Sequence, residues 1–172
     1  SYALTYKLLL DLVGVENVVV TGYLSGVPHA WNKVKIDGEW LHLDSTNNET
    51  NSGVPYMYYQ TNDETAEENN LITDNEFWID SEVAQFDGTS SKHDYYIVNG
   101  LEAKDASEVT KAMIKSLKEN KTSGIVRLAE PNMFSNDVLM HSLADAINQV
   151  APDKLSTAQL YQLGLYYIVE LN

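Results

Sequence analysis

The stretch His29-Ala-Trp-Asn-Lys-Val-Lys-Ile-Asp-Gly-Glu-Trp-Leu-His-Leu-Asp44 leaves the chain little choice of local structure. Asp37-Gly38 separates two alternating segments, a strong short-range signal for a hairpin closed by a two-residue type I′ turn. With those two residues as the loop, Ile36 pairs with Glu39, Val34 with Leu41 and Asn32 with Leu43. Trp31 then lies opposite Asp44 and His29 opposite Thr46. Because paired residues share a face, one face carries Val34, Ile36, Leu41 and Leu43 and reads as core. The other carries His29, Trp31, Lys33, Lys35, Trp40, His42 and Asp44.

On that second face His29 and Asp44 are diagonal neighbours, with backbones roughly 7–8 Å apart. An imidazole and a carboxylate can close this gap with a hydrogen bond. The acid then fixes the ring tautomer and stabilises the imidazolium, as the third member of a catalytic triad does. A one-residue slip in pairing would separate the two onto opposite faces. The spacing therefore supplies a base and its orienting acid, and leaves the nucleophile to be found.

These residues sit within a longer pattern: Tyr2-Ala3-x-x-Tyr6-Lys7-x-Leu9-Leu10, then Gly14-Val15-x-x-x-Val19-x-x-Gly22, His29-Ala-Trp-Asn32 and Asp37-Gly-x-Trp-x-His-x-Asp44. Over about the first 46 residues this resembles the bacterial transglutaminase-like family. The resemblance implies a papain-like core: a cysteine at a helix N-terminus, a histidine on one strand and an aspartate on the next. It assigns the catalytic histidine to His29 and the orienting acid to Asp44. In that family the helix opens Cys-x-Gly-Tyr-Ala or a close variant. Ser1 falls at its glycine, which places the cysteine two residues before Ser1. The chain itself contains no cysteine. The nucleophile therefore lies upstream, or the natural protein is a pseudoenzyme; Ser1 as a stand-in is displaced from the matched position. A second departure is Asn47, where such proteins commonly carry a tryptophan.

Composition narrows the remaining classes. A length of 172 residues with 44% hydrophobic content suits one domain or one domain with a small appendage. A net charge of −14 opposes a nucleic-acid partner, which requires clustered Lys and Arg. From Ser45 to Ser91 there are ten Asp and Glu and no Lys or Arg. Such a segment keeps a protein soluble and can attract basic or amine-bearing partners. No apolar run approaches the length of a membrane span. Without cysteine there is neither a disulfide framework nor a thiolate metal site. The resemblance points to an extracellular or cell-surface location on a bacterium.

Read in order, Tyr2–Val13 has Ala3, Tyr6, Leu10 and Val13 at helical spacing, with Gly14 as its C-cap. Asn17–Leu24 is a strand whose Val18, Val19 and Val20 read as buried on both faces. Pro55–Tyr59 extends the sheet or borders the cleft, and Asp63–Asn70 is an acidic loop or short helix. Ile72–Phe86, with Phe77, Trp78, Ile79 and Val83, is apolar but without a clear period. A strand is expected at Tyr95–Asn99. Asp105-Ala-Ser-Glu108 is a capping box for a helix to about Lys118, with Val109, Met113, Ile114 and Leu117 inward. Gly124–Ala129 is a strand. Ser135 caps a helix to about Val150, with Val138, Leu139, Leu143, Ala146 and Ile147 inward. Leu163–Leu171 closes the chain as a strand.

These elements give an α+β fold: a core over residues 1–90, papain-like and transglutaminase-like by resemblance, and a β-α-β-α-β appendage over residues 91–172. The resemblance implies cysteine-dependent acyl transfer or hydrolysis on a peptide or protein substrate, through His29 and Asp44, with no cofactor and no metal. The alternative is an inactive binding or scaffold module on the same fold. Trp31, on the face of His29, is expected to wall the substrate site or, as the alternative, to pack in the core. His42 reads as a packed structural histidine, and the isolated His93 and His141 as surface or packing residues. Asn48-Glu49-Thr50 matches a glycosylation sequon, which reads as chance in a bacterial protein.

Overall fold

Asp37 at φ 52° and Gly38 at φ 85° both occupy the left-handed region that a type I′ turn demands. The turn joins β2 (Val27–Ile36) to β3 (Glu39–Leu43) with Ile36 opposite Glu39, Val34 opposite Leu41 and Asn32 opposite Leu43. The pairing is the one the turn chemistry requires. In the computed structural model, residues 2–48, 53–74 and 86–172 are described. The fold is mixed α+β, and the chain divides into two units, Ser1–Tyr95 and Tyr96–Asn172.

In the first unit α1 (Tyr2–Leu12) precedes β1 (Asn17–Leu24), which pairs antiparallel with β2. Two short strands complete the sheet: β4 (Tyr59–Thr61) beside β3, and β5 (Leu71–Thr73) beside β1. The order is β4-β3-β2-β1-β5, antiparallel throughout. The register shift between His42 and Leu43 leaves Gln60, at φ 58°, as an extra residue on β4. Such a bulge bends an edge strand and redirects the chain beyond it. Between β4 and β5, α2 (Asp63–Glu68) is capped by Asn62, whose side chain accepts from Thr65 N.

Both faces of the hairpin are buried. Val34, Leu41 and Leu43 lie in the core as expected, but Trp31, Lys33, His42 and Asp44 on the opposite face are also buried. Val18 and Val19, expected to be enclosed, are only partly covered, while Val20 is buried. In α1 the buried residue is Ala3; Val13 is 72% exposed because it falls after the last helical turn. The apolar segment within Ile72–Phe86 falls mostly outside the described residues, as do Ser1, Glu49 and Thr50.

The second unit holds α3 (Tyr95–Val98, starting one residue before its boundary), β6 (Glu102–Ala103), α4 (Ala106–Glu119), β7 (Ser123–Leu128), α5 (Asn136–Val150), β8 (Gln159–Leu163) and β9 (Tyr166–Glu170). Its sheet runs β6-β7-β9-β8, with β6 parallel to β7 and the other pairs antiparallel. Asp105 caps α4 by accepting from Glu108 N, while Glu108 accepts from Lys104 N. Val109, Met113 and Leu117 meet Leu143, Ile147 and Val126 in one core. Val138, expected inward, is 43% exposed in the first turn of α5.

Two expectations for this unit need correction. Tyr95–Asn99 is not a strand: Gly100 N donates to Ile97 O and Leu101 N to Tyr96 O, closing a single helical turn that Gly100 leaves at φ 59°. Local turn bonds override the β preference of its aromatic and branched residues. The C-terminal strand is a hairpin, β8 and β9, turning at Gly164 with φ 55°.

A Cβ at position 38 would meet no neighbouring atom, so its cost comes from the backbone alone. Gly38→Ala should therefore lower stability by about 1–2 kcal/mol, the penalty of a left-handed L-residue. A urea midpoint equal to that of the parent would contradict the type I′ assignment.

Candidate functional site

His29 lies near the start of β2 and Asp44 directly after β3, so the hairpin register brings them to one end of the ribbon. His29 Nε2–H donates to Asp44 Oδ2 at 2.7 Å. The carboxylate is completely buried, and its other partners explain how it tolerates that position. Oδ1 accepts from Thr46 N at 2.9 Å, and Oδ2 also accepts from Asn47 Nδ2 at 2.7 Å. Three donors satisfy a group whose burial without them would be costly.

Asn47 Nδ2 and His29 Nε2 are 3.2 Å apart because both converge on the same oxygen. Neither accepts from the other once each N–H points at Asp44. Asn47 thus acts as a hydrogen-bond partner of the acid. Its loop is held by Asn48, whose side chain donates to Tyr58 O and accepts from Tyr58 N. That pair of bonds gives Asn48 a structural role.

With Nε2 committed to Asp44, Nδ1 is the ring nitrogen of His29 left uncommitted among the described residues, and the side chain is 18% exposed. Beside it lies a cleft of about 650 Å³ bordered by Tyr2, Tyr23, Pro28, Thr46 and Asp74. Tyr2 belongs to the first turn of α1. That turn is tied to β2 because Asn32 Nδ2 donates to Ala3 O at 3.1 Å. His29, Asp44 and the start of α1 therefore share one neighbourhood.

Beneath His29 the same face continues as a buried polar column. Trp31 is nearly parallel to His29 (centroids 5.9 Å apart, planes at 15°) and stacks in turn on His42 (6.0 Å, 29°). Trp31 has no exposed surface and is packed between the rings of His29 and His42. Gly22, opposite His29 in the sheet, leaves room for this: a Cβ there would lie 2.9 Å from the indole and 2.1 Å from Ile72 O.

Trp31 Nε1–H donates to His42 Nδ1 at 2.8 Å. An indole can only donate, so Nδ1 is unprotonated and Nε2 carries the hydrogen. Nε2 then donates to Asp63 Oδ1 at 2.7 Å. Burial holds the His42 pKa below its ordinary value, against the raising effect of Asp63. Lys33 Nζ also reaches Asp63 Oδ1, at 2.6 Å, and Phe86 O at 2.8 Å, while Gly88 N donates to Asp63 Oδ2. Burial alone would raise the Asp63 pKa, but the hydrogen bonds from His42, Lys33 and Gly88 outweigh it and hold the carboxyl at about 2.

Register alone places Lys33 and His42 on the face of His29. It gives no sign of Asp63 or Asn47, which arrive through the loop after β3 and the start of α2. His93 meets Asp37 at 3.2 Å, and His141 Nδ1 lies 2.7 Å from Asp137 O within α5. Among the described residues no cluster of His, Asp and Glu could hold a metal ion, and no helix is long and apolar enough to cross a membrane. Comparison with the models of known protein families and with curated proteins gives no match to this chain.

The two groups of the column set the sign of the acid response. His42 is held below its ordinary value of 6.5, so its contribution to stability is complete above that pH and declines as the pH falls below it. Asp63 contributes stability that is complete above 3.8 and is lost as the pH falls toward about 2. Linkage with solvent screening at this half-open carboxylate puts the Asp63 share on the order of 1–2 kcal/mol. Asp63→Asn should be less stable than the parent by that amount at neutral pH, with the gap closing below about pH 4. Urea unfolding across the range checks this; a gap constant in pH would remove the ionised carboxylate from the account.

Proposed function

We propose that this protein belongs to the papain-like, transglutaminase-like class and that His29 and Asp44 serve a cysteine nucleophile in acyl transfer or hydrolysis. The observation that carries the reading is the 2.7 Å bond from His29 Nε2 to the buried Asp44, which leaves Nδ1 for acid–base work beside the cleft and the first turn of α1. The family pattern puts the thiol two residues before Ser1, at the opening of that helix. A helix N-terminus and a neighbouring imidazole both lower a thiol pKa and favour the thiolate.

In this reading the thiolate attacks an acyl carbonyl, of a peptide bond or of a glutamine side-chain amide. His29 Nδ1–H gives its proton to the departing amine, leaving a thioester. Nδ1 next takes a proton from the second substrate, water for hydrolysis or an amine for transfer, and the sulfur departs as thiolate. Asp44 keeps the ring in the tautomer this cycle needs. The cleft of about 650 Å³ has the size of a pocket for a side chain and its flanking backbone. A bacterial surface or secreted location fits a protein-modifying activity of this kind.

The gene product with its upstream residues tests the reading through labelling by a thiol-reactive acyl probe. A cysteine two positions before Ser1 should label, and His29→Ala should slow labelling by about two to four orders of magnitude. Asp44→Ala should slow it less, because it orients the base and does not itself transfer the proton. Gly, Ala or Ser at that upstream position would overturn the enzyme reading in favour of a scaffold module. Labelling unchanged in His29→Ala would remove the histidine from the mechanism.

A further inference from the structure

We infer that His42 and Asp63 are positioning residues for His29, acting through Trp31. The inference takes its purpose from the acyl-transfer reading, but its geometry stands apart from any nucleophile. A hydrogen bond from Nε2 to Asp44 fixes one point of the His29 ring and still allows it to swing about that bond. Fixing the plane requires a second contact on the ring face. Trp31 supplies it, nearly parallel beneath the imidazole.

A platform must itself be held. The Trp31 indole is completely buried, and its N–H is anchored on His42 Nδ1. His42 is held at its other nitrogen by Asp63, and Asp63 by Lys33 and Gly88 N. Each group therefore has its orientation set by the next. The series ends in an ion pair and a backbone amide, which do not depend on the site. Simple core packing would need none of these donors, since a phenyl ring could fill much of the same space. The polar atoms specify the angle of the indole plane, and with it the direction of His29 Nδ1. A displacement of about 1 Å at a reacting group can cost about a hundredfold in rate, so this is a place where orientation has value.

The test uses the chain as it stands and reads the His29 ring by NMR. Stacking on an indole moves the imidazole carbon-bound protons upfield, and a structural role for the column confined to stability would leave that displacement unchanged. His42→Leu should abolish most of the displacement while the backbone amide pattern of the hairpin is kept. His42→Gln, which can accept from Trp31 and donate to Asp63, should restore it. His42→Phe keeps an aromatic ring against the indole, removes the acceptor of its N–H and leaves Trp31 itself in place, and it decides the matter if His42→Leu does not fold: it too should leave a smaller, averaged displacement. His29 ring protons unmoved in either folded variant would overturn the inference. An upstream residue other than cysteine would instead overturn only the acyl-transfer reading, so the two failures are distinguishable.

Discussion

Left-handed backbone at two adjacent positions, Asp37 and Gly38, is the constraint on which the first unit rests. It fixes a register in which alternate residues of β2 and β3 must share a face. Everything at the site depends on that parity. Val34, Leu41 and Leu43 pack into the core, and Trp31, Lys33, His42 and Asp44 are carried together to the opposite side. A pairing shifted by one residue would bury the charged set among aliphatic side chains and set the aliphatic set against the polar groups of Asp63 and Asn47. That mismatch costs about 1–3 kcal/mol for each buried polar group left without its partner, with the desolvation of the charges added. The turn and the burial pattern therefore select the same register independently.

That second face is buried without being apolar, and it is stable only because its groups form closed series of donors and acceptors. Asp44 accepts from Thr46, Asn47 and His29; Asp63 accepts from His42, Lys33 and Gly88. Leaving one such buried partner unmatched costs about 1–3 kcal/mol, more than an average intact bond contributes. The column is therefore a device of specificity as much as of stability. It admits one set of rotamers and one tautomer at His42, whereas an aliphatic filling of equal volume would admit several.

How far the sequence reveals this depends on the range of the interaction concerned. The hairpin, its register and the adjacency of His29 to Asp44 come from residues within one local segment, where turn chemistry and strand alternation decide. The capping box at Asp105 and the cap at Ser135 are local in the same sense. Asp63 and Asn47 are not. They approach the face from segments whose own composition reads as polar loop. No periodicity connects an acid at the start of a short helix with a lysine and a histidine thirty and twenty-one residues earlier. Alternation alone marks one face of the hairpin as core, and tertiary burial encloses the other as well. At Tyr95–Val98 the departure runs the other way: four residues with strand preference close into a helical turn because Gly100 lets the backbone leave it.

The two histidines of this face show how similar partners lead to different chemistry. Each donates from Nε2 to a carboxylate at 2.7 Å, and each touches the same indole. His42 also accepts from that indole at Nδ1, so both of its nitrogens are committed. A proton added there would set N–H against N–H and place a net positive charge beside Lys33 in the interior. Burial holds its pKa down in the same direction. His29 keeps Nδ1 uncommitted among the described residues and stands at the edge of a cleft. A histidine that exchanges protons needs one nitrogen to be held and the other to be available. Of the two, only His29 meets both conditions, and it does so because β2 begins where the sheet opens while His42 sits deeper in the hairpin.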